Sequence, residues 1–362
     1  MRVLVAMSGG VDSSAVAALL VEQGHEVVGA TLQLYDHGAA VRKPGACCAG
    51  QDIRDARDVA QRLGIPHYVL DREQRFRDAV IGDFADSYAR GETPIPCIRC
   101  NQTVKFTDLL ELADDLGCDR LATGHYARRL DGPGGEAELH RAADPQRDQS
   151  YFLAHTTRAQ LARVLFPLGG MPTKAEVRGH AQRLGVPVAG KRDSQDICFV
   201  PEGRYDALVG KLRPEALEPG DIVDAAGRVL GRHQGIARYT VGQGRGLGIA
   251  AAERLFVTAL EPGRRRVVVG PRDAVPVPEV LAGEVNWLAP PPESPFRCTA
   301  KLRAREEPQP ATALWDGATL RLRPDAPAIA APGQAAVLYD GARVLAAGFI
   351  RAARVDAAGA AA

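Results

Sequence analysis

The residues best suited to chemistry lie near the amino terminus, at positions 8–14, with the sequence Ser-Gly-Gly-Val-Asp-Ser-Ser. The apolar residues 3–7 before this run predict a buried strand. The apolar pattern of residues 15–21 after it predicts a helix that ends at Gly24. Glycines between a strand and a helix leave backbone N–H groups pointing outward, and the helix dipole adds positive potential. The run is therefore predicted to bind phosphate.

The same run lacks the Lys-Ser/Thr ending of a Walker A loop, which serves transfer at a γ-phosphate. Its Ser-Gly-Gly-x-Asp-Ser pattern resembles the PP-loop of ATP pyrophosphatases. Those enzymes cleave ATP between the α- and β-phosphates and use the AMP part to activate a carbonyl oxygen. The alternative is an ordinary strand-to-helix turn, but serines, glycines and an aspartate in one window favour the nucleotide site.

Cysteines form the second candidate group. Cys97 and Cys100 make a C-x-x-C pair, and Cys198 stands alone further along the chain. A helix is predicted to begin just after Cys100, with Arg99 adjacent and Lys105 a turn later, which would lower the thiol pKa and favour the thiolate. Two alternatives remain: the pair could be half of a zinc site, and Cys198 could be a buried structural cysteine.

The elements around these residues alternate between strands and helices. Strands are predicted at 26–34, 67–70 and 120–123, and helices at 52–63, 76–88 and 104–116. Such alternation predicts an α/β fold with a doubly wound, mostly parallel sheet, whose ligands lie beyond the carboxyl ends of the strands. The loop at Ser8 and the Gly124-His125-Tyr126 turn both follow a strand, so both are expected at that edge, with Gly124 under the adenine or ribose.

The later part of the chain changes character. Helical pattern continues over 158–184, and short strands with turn signals dominate after about residue 214. We therefore predict three regions: a nucleotide-binding domain at 1–209, a small Gly/Arg-rich domain at 210–277, and a C-terminal β-barrel-like domain at 278–362.

Composition narrows the function classes. The net charge of +1 excludes a polycation, so a nucleic-acid site must be a local patch. No apolar stretch approaches the roughly 20 residues that span a bilayer. Seven cysteines with no signal-peptide pattern before the first strand indicate a reducing cytoplasm.

Several motifs together resemble the bacterial tRNA-specific 2-thiouridylases, a family of tRNA sulfurtransferases with a PP-loop domain of the adenine nucleotide alpha hydrolase type. They occur in one order along nearly the whole chain: residues 8–14, the Thr-Pro-x-Pro loop before Cys100-Asn101, Thr123 to Tyr126, Asp148 to Leu153, and Asp193 to Phe199. The resemblance implies that ATP adenylates the C2 oxygen of the wobble uridine, pyrophosphate leaves, and sulfur replaces the oxygen.

The resemblance also implies roles for single residues. Cys198 would carry the persulfide, and Cys100 would be the nucleophile that resolves it, leaving a Cys100–Cys198 disulfide for later reduction. The ATP contacts carried over are Ala6, Met7, Ser8, Gly9, Gly10, Val11, Asp12, Ser13, Leu32 and Gly124. A magnesium ion bridging the phosphates is expected, although no dedicated ligand set is visible.

The implied partners are the tRNA anticodon loop and a protein that donates persulfide sulfur. The tRNA contacts carried over are Ile95, Pro96, Cys97, Arg147, Asp148, Gln149, Arg303 and Ala304. The family's aromatic residue at the last position is alanine here, so a stacking contribution is expected to be lost. Arg228, Arg232, Arg238 and Arg245 lie in an acid-free, glycine-rich stretch, which favours a phosphate-backbone contact over a merely solvated surface.

One departure from the family pattern concerns Cys97, where the family has an aspartate that faces the target base. A Cys97 thiolate could replace that carboxylate as a base. Alternatively, Cys97, Cys100 and Cys198 could hold an iron–sulfur cluster with one open iron.

Two other functions compete with the sulfurtransferase. A PP-loop enzyme that adenylates a small molecule would not need the paired cysteines. A non-catalytic metal module that binds RNA would leave the loop at Ser8 unexplained.

Overall fold

The computed structural model describes residues 1–35, 48–191, 197–200 and 205–354. These residues form two compact units. The first unit contains residues 1–80, 97–199 and 342–344, and the second contains residues 81–96, 200–341 and the chain after 344. Positions 193–196 of the last sequence motif lie outside the described residues.

The first unit is built on a parallel sheet with helices between its strands. Its elements begin with β1 (Arg2–Ala6), α1 (Val11–Glu22), β2 (Glu26–Gln33), α2 (Cys48–Leu63), β3 (His67–Asp71) and α3 (Glu73–Phe76). They continue with α5 (Pro96–Cys100), α6 (Phe106–Asp115), β4 (Arg120–Ala122), β5 (Arg128–Asp131) and β6 (Ala137–His140). They end with α7 (Ser150–Leu153), α8 (Arg158–Arg163), β7 (Val164–Leu165) and α9 (Lys174–Arg183). A π-helical segment, Asn101–Lys105, joins α5 to α6, and another, Arg77–Gly82, joins α3 to α4 (Asp83–Ala89).

The strand order of this sheet is β3-β2-β1-β4-β7, with every pair parallel. The central strand β1 is apolar because both faces of a doubly wound sheet are covered, and Val3, Leu4 and Val5 are fully buried. Helix α1 is buried along most of its length. The predicted α/β fold with a doubly wound parallel sheet is confirmed.

The second unit consists mainly of antiparallel strands. It begins with α10 (Tyr205–Leu212), and a four-stranded sheet of order β10-β11-β8-β9 follows. Its strands are β8 (Gly220–Val223), β9 (Val229–His233), β10 (Phe256–Glu261) and β11 (Arg266–Gly270). The last strands are β12 (Glu279–Trp287), β13 (Phe296–Lys301), β14 (Gln309–Trp315), β15 (Leu320–Pro324), β16 (Ala335–Asp340) and β17 (Arg343–Arg354). These six run in the order β12-β15-β14-β13-β16-β17, and β12 also pairs with β17. This closure confirms the predicted barrel-like end of the chain.

Two predicted elements differ from the structure. The helical pattern predicted over 158–184 is interrupted, because α8 stops at Arg163 and β7 pairs with β4 before α9 starts at Lys174. Two prolines and a Gly-Gly pair in the interruption cannot continue a helix. The helix predicted from residue 104 starts earlier, at Pro96, because proline at the first helical position is pre-organised for a helix.

The interruption between α8 and α9 contains a tight contact between Gly169 and the backbone of Ala127. A Cβ added at Gly169 would lie 1.6 Å from the Ala127 carbonyl oxygen, whereas one added at Gly170 would meet nothing within 4 Å. No chain atom can give way cheaply at Gly169, because its neighbour is backbone.

We predict that Gly169→Ala lowers the free energy of unfolding by about 1–3 kcal/mol, since the inserted methyl overpacks the site. Gly170→Ala, the matched control, should change it by less than about 0.5 kcal/mol. Urea unfolding of the two variants measures both values. Equal stability of the two variants would contradict the tight contact.

Candidate active site

The switch point of the parallel sheet lies between β1 and β4. Strands β2 and β3 lie on one side of β1, and β4 and β7 lie on the other. The loop after β1 and the turn after β4 therefore share the carboxyl edge at the place where ligands bind in such sheets. The structure brings together the two segments that sequence analysis expected there.

The loop after β1 forms a nest of backbone amides. The Ser13 hydroxyl accepts a hydrogen bond from the Ser8 N–H at 3.1 Å, and the Ser14 hydroxyl donates to the Gly10 carbonyl at 2.8 Å. Within the described parts of the chain, the N–H groups of residues 9–13 meet no acceptor. Because they surround the N-terminus of the 12-residue helix α1, they form a site for an anion.

Two glycines allow neighbouring backbone to approach this nest. Gly9 has φ +71°, and a Cβ there would lie 2.2 Å from the Asp52 carbonyl oxygen. A Cβ at Gly124 would lie 2.9 Å from the Ser13 nitrogen, so Gly124 packs directly against the start of α1. Leu32 lies near the carboxyl end of β2, at the same edge.

Asp12 is held by two side chains from distant parts of the chain. The Tyr126 hydroxyl donates to its Oδ1 at 2.8 Å, and the Lys174 ammonium lies 2.5 Å from the same oxygen. Gln149 fixes Tyr126 in turn, because its side-chain oxygen accepts from the Tyr126 N–H at 2.9 Å and its own N–H donates to the Tyr126 carbonyl at 2.8 Å. The carboxylate of the loop is thereby placed beside the amide nest.

A second lysine, Lys191, contacts the loop through its backbone. Its ammonium donates to the Gly9 carbonyl at 2.9 Å, to Asp52 at 2.7 Å and to Asp55 at 2.6 Å. Desolvation would lower the pKa of Lys191, but the hydrogen bonds to the two carboxylates outweigh it and raise the pKa. The ammonium therefore stays charged over the physiological range.

Lys174 and Lys191 could not be predicted as site residues from the sequence, because neither has a spacing that links it to the loop. A compositional signal was present: only six of the 45 basic residues are lysines, and Lys105, Lys174 and Lys191 are three of them. Lysine is a compact charge with three donors, which suits a crowded site better than arginine.

The three candidate cysteines lie close together in the first unit, with free thiols. Cys100 is buried, whereas Cys97 and Cys198 are exposed. Cys97 and Cys100 lie near enough to Cys198 that a thiolate at either position would raise the pKa of the Cys198 thiol, and the Tyr35 hydroxyl hydrogen-bonds to that thiol. Tyr35 follows β2, so this cluster also belongs to the carboxyl edge of the sheet.

The expected lowering of the Cys100 thiol pKa is wrong. Burial raises the pKa of Cys100, and the opposing charge of Lys105 does not compensate. Cys97 and Cys198 are exposed as residues, yet protein around their sulfur atoms desolvates the thiols. Desolvation raises the pKa of Cys97 and, with the neighbouring thiols, raises that of Cys198 to about 12.

The reason for this error is the early start of the helix. Because the helical stretch begins at Pro96 and continues through residues 101–105 into α6, Cys100 lies inside it and not at its N-terminus, where the dipole would favour a thiolate. A Cys97 thiolate acting as a base near neutral pH is disfavoured for the same reason of raised pKa.

The residues expected to contact tRNA lie in different surroundings. The Asp148 carboxylate is 1% exposed, and it accepts from the Ala142 N–H and the Ser150 N–H, each at 3.1 Å. It also accepts from the Ser150 hydroxyl at 2.9 Å, so it organises its own loop. Arg147 and Gln149 are half-buried beside it, Ile95 and Pro96 are buried, and Arg303 and Ala304 are half-buried in the second unit.

Two of the four arginines of the glycine-rich stretch are paired with carboxylates. Arg228 lies 2.6 Å from Asp224, and Arg238 lies 3.3 Å from Asp206. Arg232 and Arg245 have no carboxylate within ion-pair distance in the described residues.

A cation–π cluster lies in the same unit. Arg254 and Arg272 lie over the Phe256 ring, at 5.3 and 6.0 Å from its centroid. The sequence contained no pattern that joins these three residues.

No helix among the described residues is both long and apolar enough to cross a membrane. Those residues also contain no group of three or more His, Cys, Asp and Glu side chains placed to hold a metal ion.

Matches to known protein families and relatives cover most of the chain. Residues 1–202 match a family model described as a tRNA methyl transferase HUP domain, 208–271 match a tRNA methyl transferase PRC-barrel domain, and 277–350 match an aminomethyltransferase beta-barrel domain. The protein from Acidiphilium cryptum strain JF-5 named tRNA-specific 2-thiouridylase MnmA is 63% identical over 350 residues, which cover 97% of this chain and 100% of that protein. The protein of the same name from Gluconobacter oxydans strain 621H is 60% identical over 361 residues, covering 97% and 99%.

The raised thiol pKa values generate a prediction for alkylation. At pH 8, iodoacetamide should modify Cys100 and Cys198 at least about tenfold more slowly than N-acetylcysteine, because little thiolate is present. Lys105→Met should slow both reactions further, since it removes a charge that lowers both pKa values.

Mass spectrometry of the modified peptides against pH gives the rates. Lys211→Met removes the same charge from the second unit and should leave the rates unchanged. A half-maximal rate for Cys100 at or below pH 8.5 would contradict the prediction.

Proposed function

Because the chain belongs to the family of tRNA-specific 2-thiouridylases, we propose that it converts the wobble uridine of tRNA to 2-thiouridine with the energy of ATP. The observation that carries the proposal is the meeting of a phosphate-binding nest and three thiols at one edge of one sheet. The family model describes methyl transfer, whereas relatives with 63% and 60% identity are named for thiolation. Thiols beside a pyrophosphatase loop favour sulfur chemistry.

The first chemical step is adenylation. The C2 oxygen of the uracil attacks the α-phosphorus of ATP, a P–O bond forms, the bond to the β-phosphate breaks, and pyrophosphate leaves. The amides of residues 9–13 and the N-terminus of α1 stabilise the phosphate charge. Lys174 adds a positive charge to this site. The target base must leave its stack to reach the site.

The second step transfers sulfur. The outer sulfur of a Cys198 persulfide attacks C2, a C–S bond forms and AMP leaves. The Cys100 thiolate then attacks the inner sulfur, the S–S bond to the base breaks, and a Cys100–Cys198 disulfide remains. A thiol reductant restores the two thiols, and a persulfide-bearing donor protein supplies the next sulfur.

Raised thiol pKa values fit this sequence of events. A protonated Cys100 does not consume the persulfide before the base is activated, and Lys105 stabilises the anion once it forms. Cys97 retains its proton near neutral pH, so we assign it no role as a base. Free thiols and a tRNA substrate are consistent with a reducing cytoplasm.

A magnesium ion fits the nucleotide site. Asp12 is 30% exposed, and its bonds to Tyr126 and Lys174 use only Oδ1. One carboxylate together with phosphate oxygens is a common magnesium ligand set. The ion, when bound, would neutralise charge on the departing pyrophosphate.

The three cysteines remain the candidate ligands of an iron–sulfur cluster. Cys97, Cys100 and Cys198 do not form a group placed to hold a single metal ion, whereas each thiolate of a cluster binds a different iron. We derive no step through such a cluster.

The RNA-binding surface is proposed to include the arginines of the second unit. Arg254 and Arg272 share the Phe256 ring, and neither has a carboxylate within ion-pair distance in the part of the chain that the structure describes. Arginines held by an aromatic ring and free of carboxylates are suited to a phosphate backbone.

We propose that the chain is divided into three functional regions. Catalysis is assigned to 1–209, RNA contact to 210–277, and a barrel to 278–362. The three matched segments support this division.

We expect Cys198→Ser to abolish thiolation while tRNA binding changes less than about twofold, because the serine oxygen cannot carry a persulfide. The test expresses each variant in a strain that lacks the gene and measures wobble 2-thiouridine by mass spectrometry. Cys298→Ser is the matched control, since Cys298 lies in the second unit, and should restore the nucleoside. Unchanged 2-thiouridine in the strain without the gene would overturn the proposed function.

We expect Arg254→Gln with Arg272→Gln to weaken tRNA binding and to reduce the slope of log K against log salt by about 1–2, because each lost phosphate contact removes about 0.7–0.9 from the slope. Arg264→Gln, a control that removes an arginine lying 3.8 Å from Glu261, should leave the slope unchanged. Filter binding over a salt series measures both. An unchanged slope in the double variant would remove this surface from the RNA site.

A further inference from the structure

We propose that Lys191 is a positioning residue of the nucleotide site, because it holds the Gly9 carbonyl and thereby turns the Gly10 N–H toward the bound phosphate. The inference rests on the proposed function, since it concerns the same nucleotide. Lys191 lies outside the loop motif, and it acts through the backbone of the loop.

The contacts of Lys191 leave it no donor for a nucleotide. Its three ammonium hydrogens are directed to the Gly9 carbonyl at 2.9 Å, Asp52 at 2.7 Å and Asp55 at 2.6 Å. A lysine that bound phosphate directly would need a hydrogen free for it. Lys191 is therefore placed to shape the loop and not to touch the ligand.

The geometry of one peptide unit converts this contact into an orientation. The Gly9–Gly10 peptide is trans, so its carbonyl and its N–H point in opposite directions. Because the carbonyl is fixed on Lys191, the Gly10 N–H must face away from Lys191. That N–H has no acceptor in the described residues, and it lies at the N-cap of α1, where the helix dipole is positive.

Gly9 needs this restraint more than an ordinary residue would. Glycine reaches both signs of φ at little cost, so a peptide beside it can rotate easily. At the observed φ of +71°, the Asp52 carbonyl oxygen lies 2.2 Å from the position that a Cβ would take, and Lys191 joins the two segments through Asp52. Without the ammonium, the Gly9 carbonyl could turn into the phosphate site and repel the anion.

Lys191 is itself fixed by the backbone around it. Its N–H donates to the Val188 carbonyl at 2.9 Å, and its carbonyl accepts from Arg178 of α9 at 3.1 Å. A side chain that starts from a fixed backbone and ends on three acceptors loses little further freedom when the nucleotide binds. The loop is thus pre-organised before ATP arrives.

The test compares ATP with adenosine, which shares the base and ribose but lacks phosphates. In Lys191→Met, calorimetry should show ATP binding weakened about ten- to a hundredfold, the range of a charge-assisted hydrogen bond, while adenosine binding changes less than about twofold. Arg183→Met is the matched control. It removes the same charge from α9 and breaks an exposed pair with Glu22 at the other end of α1, so it should leave both affinities unchanged.

Lys191→Arg keeps a cationic donor and should recover most of the ATP affinity. It also serves as the folding control, together with the urea midpoint of each variant. If Lys191→Met does not fold, Lys191→Gln provides the same comparison with a neutral donor, and an intermediate loss for ATP alone is expected.

Equal losses for ATP and adenosine in either variant would overturn the inference, because they would show a general structural role. An unchanged affinity for ATP would also overturn it. A wild-type protein that binds neither ligand would overturn the proposed function and this inference together, so the two failures are distinguishable.

Discussion

The amides of residues 9–13 have to remain unpaired by protein, and most of the first unit is arranged around this constraint. An unpaired amide in a folded protein is costly unless a ligand or water meets it. The surrounding polar groups therefore hydrogen-bond to one another. The Ser13 hydroxyl accepts from the Ser8 N–H, and the Ser14 hydroxyl donates to the Gly10 carbonyl. What remains is a concave set of donors at the positive end of α1.

Close backbone approach is the second consequence of that constraint. Gly9 and Gly124 bring the Asp52 carbonyl and the start of α1 to distances that a side chain would prevent. The parallel sheet supplies this convergence, because the loops after β1 and β4 leave the same edge on either side of the switch point. A loop with the same residues elsewhere in a fold would lack both neighbours.

The lysines of the site act on two different features: Lys105 acts on the pKa values of the thiols, and Lys174 and Lys191 act on the loop. Desolvation holds the thiols protonated, and Lys105 acts in the opposite direction on all three of them. Lys174 and Lys191 act instead on the loop, one through a carboxylate and one through a carbonyl. Charge that a Walker loop carries in its own sequence is supplied here from positions more than 150 residues away.

The features that could be predicted from the sequence are those that depend on residues close together in the chain. The fold class followed from alternation of strands and helices, and the loop at Ser8 followed from residue types in one window, since both depend on neighbours in the chain. Two predictions were wrong for a related reason: the uninterrupted helical pattern over 158–184 and the lowered pKa of Cys100. Pairing of β7 with β4 and the start of α5 at Pro96 overrode the local pattern.

The sequence by itself determined the phosphate loop, the parallel sheet that presents it, the cysteines and the family. Only the tertiary structure decided which charges reach the loop, that Asp148 is enclosed by its own loop, and that the thiols stay protonated. The physical reason is range: hydrogen-bonding and helix-forming tendencies act between near neighbours and can be recognised in a linear pattern. Desolvation and ion pairing depend on which distant segments the fold brings together.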